Sequence, residues 1–88
     1  MIVSTAIVTV VDVAGATIGD FEFPLQVPVE NIIKRFIEFL KAMDNEKYSD
    51  ISNVYFKFKN NELKGQDTFW DMGIWDGSVI EFNYSGRW

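Results

Sequence analysis

At 88 residues the chain has room for one small domain, and with 48% apolar and 16% aromatic residues it can bury a core without disulfide staples. It contains no cysteine and no histidine, so thiolate metal sites, thiol nucleophiles and the commonest general base are excluded. A formal charge of −5 argues against nucleic-acid binding, which needs a surplus of Lys and Arg against phosphate.

The first stretch, MIVSTAIVTVVDVAGA, is apolar and ends in A-G-A, as an export signal can. No basic residue precedes it, however, and Thr5, Thr9 and Asp12 interrupt it at the spacing of a strand. It is also shorter than the ~20 apolar residues that a membrane helix requires. The strand reading is preferred, and a cytoplasmic protein without membrane insertion is the expectation. Ala6 to Val13 is thus predicted as a strand, Ala14-Gly15-Ala16 as a tight turn, and Thr17 to Pro24 as a second strand with Phe21 and Phe23 on one face. A bulge at Gly19-Asp20 would reset the alternation between Ile18 and Phe21.

Pro28 suits the first position of a helix. From Val29 to Met43 the apolar residues Val29, Ile32, Ile33, Phe36, Ile37, Phe39, Leu40 and Met43 cover an arc of about 160° at helical spacing, with charged residues opposite. The polar run DNEKYSD after it reads as a loop. Asn53 to Lys59 is a third strand with Val54, Phe56 and Phe58 on one face. Asn60-Asn61 would form a turn, Leu63 would begin a short returning strand, and Val79 to Tyr84 would form the last. One amphipathic helix must bury its face against the sheet formed by the rest, with the first and last strands adjacent at its centre. The fold class is therefore α+β, a β-grasp with a mixed sheet of four to five strands and one long helix packed across one face. Residues 1–88 form a single domain in this reading, with 1–5 and 85–88 as loose ends.

The segments PVENIIKRF, VYFKFKNNEL and DTFWDMGIWDGSVIEF resemble, in order, the helix start, third strand with its turn, and final turn region of ubiquitin-like proteins. The resemblance spans nearly the whole chain. FPLQVPVENIIKRF and the spacing Phe69-Trp70-Asp71-Met72-Gly73-Ile74 before Asp76-Gly77 are more closely similar to the YukD family. Those are small bacterial ubiquitin-like proteins encoded with type VII secretion systems. The resemblance implies a non-catalytic adaptor or accessory protein that binds other proteins, including membrane components of a secretion machine, and needs no cofactor. An alternative from the same fold is a modifier or sulfur carrier activated at a processed C-terminus. Such proteins expose a terminal diglycine, whereas this sequence ends Tyr84-Ser85-Gly86-Arg87-Trp88. A non-conjugating role is therefore expected.

Ubiquitin also presents an apolar receptor patch on its exposed sheet face. The matching positions here are polar, Lys57, Glu81 and Asn83, so a different set of partners is implied. In the segment Asp67 to Phe82, Asp67 or Thr68 can cap a short turn, Phe69 and Ile74 fall where buried anchors are needed, and Asp76-Gly77 turns into the last strand. A cation site from Asp67, Asp71 and Asp76 lacks the dense alternate ligands of a calcium loop. Trp70 and Trp75 remain. Each ring could lie half-buried over a neighbour, or the two could stand together as anchors for a partner, with Asp71, Asp76 and Glu81 favouring a basic rim. Trp70, Trp75, Lys57, Glu81 and Asn83 are the candidate contact residues; none is expected to be catalytic.

Overall fold

The structure, a computed structural model, describes residues 4–85. Strand β1 (Thr5–Val11) and strand β2 (Thr17–Pro24) form an antiparallel hairpin. Helix α1 (Val29–Met43) follows, then a short helix α2 (Asn45–Tyr48), strand β3 (Ser52–Phe58), the two-residue strand β4 (Asn61–Glu62) and strand β5 (Val79–Ser85). The sheet order is β2-β1-β5-β3-β4. β1 and β5 run parallel at its centre, with Thr9 opposite Val79 and Val10 opposite Ile80. The other pairings are antiparallel, which makes the sheet mixed.

The alternation of β1 decides which face is buried: Ala6, Val8 and Val10 point inward while Ile7 is left outside. α1 lies against the inner face through Val29, Ile32, Phe36 and Leu40, all buried. The centre of the core is aromatic. Phe36 meets Phe82 at a centroid distance of 5.1 Å and Phe21 at 5.1 Å, and Phe23 meets Phe69 at 5.4 Å, all edge-on. These are the geometries that ring quadrupoles favour. Phe56, at 0% exposure, touches four of these rings: Phe23, Phe36, Phe69 and Phe82.

Several local expectations shift. Pro28 stands just before α1 rather than inside it, and its side chain accepts no bond. The first free helix donors are satisfied by the segment that follows β4: Val29 N–H donates to the Asp67 carbonyl at 2.8 Å and Glu30 N–H to the Gly65 carbonyl at 3.0 Å. The run expected as a loop holds α2, because the Asp44 carboxylate accepts the Lys47 N–H at 3.2 Å and Tyr48 sinks into the core. The hairpin turn after β3 falls on Lys59 and Asn60, with φ of 50° and 66°, one residue before the expected Asn60-Asn61. Two successive positive φ values are the twist that a two-residue hairpin prefers. The irregularity in β2 lies at Ile18, between the pairs Val10–Gly19 and Val11–Thr17, just ahead of the expected Gly19-Asp20. On the helix stripe, Met43 is exposed at the end of α1, and Phe39 is half exposed while its ring packs edge-on to Phe21. Thr5 and Ser85, expected as loose ends, belong to strands, and Ser4 accepts the Leu25 N–H at 2.9 Å. Gly86, Arg87 and Trp88, which carry the C-terminal reading, lie outside the described residues.

Candidate docking surface

The segment between β4 and β5 is built from two linked turns. Asp67 closes the first stretch by accepting the Lys64 N–H at 2.8 Å, and the Thr68 hydroxyl accepts the Asp71 N–H at 3.1 Å. Of the two cap candidates, Thr68 is therefore the residue that caps the turn. The turn ends at Gly73, whose φ of +74° reverses the chain. Ile74 N–H then donates to the Phe69 carbonyl at 3.0 Å and Gly73 N–H to the Trp70 carbonyl at 3.2 Å, the nested pair of bonds of a Schellman stop. Such a stop brings together the side chains on either side of it. Phe69 and Ile74 both reach 0% exposure inside.

The residues that follow each of these anchors, Trp70 and Trp75, are turned outward together. Their ring centroids stand 4.8 Å apart with planes tilted by 59°, and the residues are 44% and 49% exposed. Both alternatives for the tryptophans thus meet in one arrangement: each ring shields its neighbour and half of each faces water.

The platform is tied down at several points. Trp70 N–H donates to the Leu25 carbonyl at 2.9 Å. The second turn closes with Ser78 N–H on the Trp75 carbonyl at 3.0 Å and Trp75 N–H on the Ser78 hydroxyl at 2.9 Å, with Gly77 at φ +85°. The Asp76 carboxylate accepts the Ile7 N–H at 2.7 Å, and Gly77 N–H donates to the Ile7 carbonyl at 3.0 Å. Asp76 therefore extends the edge of β1 where β5 has not yet begun. Asp67 and Asp76 have these backbone partners, and no group of three potential metal ligands occurs among the described residues.

Lys57, Glu81 and Asn83 form a separate cluster on the outer face. Lys57 pairs in register with Glu81 on β5, and Tyr55 with Asn83. The Asn83 amide donates to the Glu81 carboxylate at 2.7 Å, and Asn83 is only 8% exposed. At that burial Asn83, expected as a contact residue, offers little surface to a partner, and its amide is engaged by the Glu81 side chain. Further along the outer face the sequence reading missed two exposed apolar residues, Ile7 at 57% and Val79 at 52%. The signal was present: in TAIVTVV the phase set by Thr5 and Thr9 also carries Ile7 and Val11, so apolar side chains must stand on the outward face. Also unanticipated is an open groove of about 780 Å³ between β2 and α1, floored by Phe21, Phe23 and Phe39 and rimmed by Lys34, Arg35 and Glu38. Among ionisable groups, burial holds the Tyr84 hydroxyl above its ordinary value, Tyr48 and Asp12 add to the shift and Lys47 opposes it.

Comparison with solved structures places the fold. The chain is similar to the ubiquitin-like domain of the Mycobacterium tuberculosis type VII secretion protein EccD1, with TM-score 0.70 and 20% identity over 90% of this chain and 97% of that one. It is similar to the EccD5 ubiquitin-like domain from Mycobacterium xenopi, with TM-score 0.72 and 11% identity over 97% and 99%. A third likeness, at TM-score 0.67 and 13% identity over 94% and 95%, is to a chain described in terms of molecular mimicry of SUMO that promotes DNA repair. No family model and no curated protein matches the sequence. The fold is a ubiquitin-like β-grasp. No helix among the described residues is long and apolar enough to cross a membrane.

Proposed function

We propose that this protein is a non-catalytic docking domain of a bacterial type VII secretion apparatus, working on the cytoplasmic side. The observation that carries the reading is the Trp70–Trp75 pair, held half exposed on a hydrogen-bonded platform. Trp is concentrated in interface hot spots because a large, stiff ring releases much apolar surface from water at low entropic cost. The fold-level likeness to EccD domains supports the setting, and so does the YukD resemblance in the sequence. The lack of histidine and cysteine, which removes the commonest general base and the thiol nucleophile, supports a binding role over catalysis.

The test replaces Trp75 with alanine in the cells that make the protein and follows export of the secretion system's substrates. Export should fall while the purified variant keeps its fold. Normal export by a folded Trp75→Ala variant would remove the pair from the machine. The non-conjugating character is checked separately by incubating the protein with a bacterial adenylating enzyme and ATP. No C-terminal adenylate or thiocarboxylate should form, and the appearance of either would restore the carrier reading.

A further inference from the structure

The charge of this chain is segregated in a way its total conceals. Residues 4–33 and 65–85 contain no lysine or arginine, and among the described residues every basic side chain lies between Lys34 and Lys64. In the fold, the two basic-free stretches supply β1, β2, β5 and the tryptophan platform. Asp20, Glu22, Asp71 and Asp76 have no lysine or arginine near them in the sequence, while Glu81 stands in register with Lys57 of β3. On the outer sheet face Asp20 and Glu22 accept the hydroxyls of Thr9 and Thr5, each at 2.6 Å, which holds both carboxylates over β1. On the platform, each tryptophan is followed directly by an exposed aspartate, Asp71 after Trp70 and Asp76 after Trp75.

We infer that the Trp70–Trp75 pair receives an arginine side chain of a basic partner segment, the guanidinium lying on an indole face with Asp71 and Asp76 meeting its charge. The inference deepens the docking reading above and rests on it. Two half-exposed indoles present negative ring faces, and cations are drawn to tryptophan more strongly than to any other aromatic side chain. A guanidinium is planar and weakly hydrated, so it can stack on a ring and still donate in-plane hydrogen bonds to a carboxylate; an ammonium cannot do both. The surrounding acidic field would raise the local concentration of a basic segment and speed its encounter. A purely apolar partner would desolvate the exposed Asp71 carboxylate without supplying a cation, which costs free energy.

The test uses the full-length protein and three soluble peptides that differ only in one residue type: alternating leucine with arginine, with lysine, or with citrulline, the neutral isostere of arginine. Binding is followed by calorimetry and by the indole N–H signals of Trp70 and Trp75 in NMR spectra. The arginine peptide should bind about tenfold more tightly than the citrulline peptide, with the lysine peptide between them. Added salt should narrow the gap. Trp75→Ala and Asp71→Asn should each reduce the arginine preference, and Asp71→Asn should leave the melting temperature unchanged. Equal affinity for arginine and citrulline, absence of saturable binding, or a preference that survives both substitutions would overturn the inference. If the preference fails while Trp75→Ala still blocks export, docking stands and only the arginine is lost.

Discussion

Phe56 and Trp75 are both large aromatic residues, yet they sit in opposite regimes of the same small fold. Phe56 is fully enclosed by four other phenylalanines, whereas Trp75 keeps half its surface in water and leans mainly on Trp70. The difference comes from position in the chain rather than hydrophobicity. Phe56 occupies the inward phase of β3, a strand paired on both sides, and Trp75 occupies the outward side of a turn whose inward side is already filled by Ile74. Aromatic content therefore divides into a part that holds the fold and a part that the fold holds out.

The largest test of that division is Phe56→Ala. Removing a ring from a closed cluster should cost about 3–5 kcal/mol, read as a loss in urea-unfolding free energy. A loss under about 1 kcal/mol would show that the cluster is looser than its geometry implies. Next in size is Gly73→Ala. A Cβ there would meet nothing within 4 Å, but φ of +74° disfavours any L side chain, so about 1 kcal/mol should be lost. The indole signals of Trp70 and Trp75 should shift as well, because the Schellman stop sets their spacing. Trp75→Ala should cost less than about 1 kcal/mol, since much of the ring is already hydrated. Should Trp75→Ala instead rival Phe56→Ala, the two regions would be one core and the docking reading would lose its surface.

The smallest effect is a pH dependence. The Tyr84 hydroxyl is held above the ordinary 10.0 mainly by burial, so the folded state keeps its proton longer than the unfolded state. Its contribution is fully present below pH 10 and is lost as pH rises through the folded value. Unfolding titrations above pH 10 should show a decline that is shallower in Tyr84→Phe. An unchanged slope in that variant would assign the decline to other groups.

The division between the two regions also explains what could be read in advance. Val29, Ile32, Phe36 and Leu40 were legible because helical spacing leaves one side for them, and Phe69 and Ile74 because the turn pattern demands anchors. The Lys59-Asn60 turn was misplaced by one residue because Asn60 and Asn61 both tolerate left-handed backbone. α2 was missed because four residues carry no periodicity; a single Asp44 cap and the burial of Tyr48 hold it. The tryptophans were ambiguous because a turn has no period from which to read a face. The burial of Asn83 could not be read from the strand pattern, because its partner, Glu81, lies two residues away on the same strand and only the fold shows that they bond.

The bond between the Ile7 N–H and the Asp76 carboxylate joins residues 69 positions apart. It stands beside a parallel pairing that also links the first strand to the last. The middle of the sheet is thus completed by a strand that is synthesised after every other strand of the sheet. Until β5 emerges, β1 presents an unpaired edge and the apolar face of α1 lacks Ile80 and Phe82. A nascent chain halted before Val79 would carry these surfaces uncovered, open to chaperones and proteases.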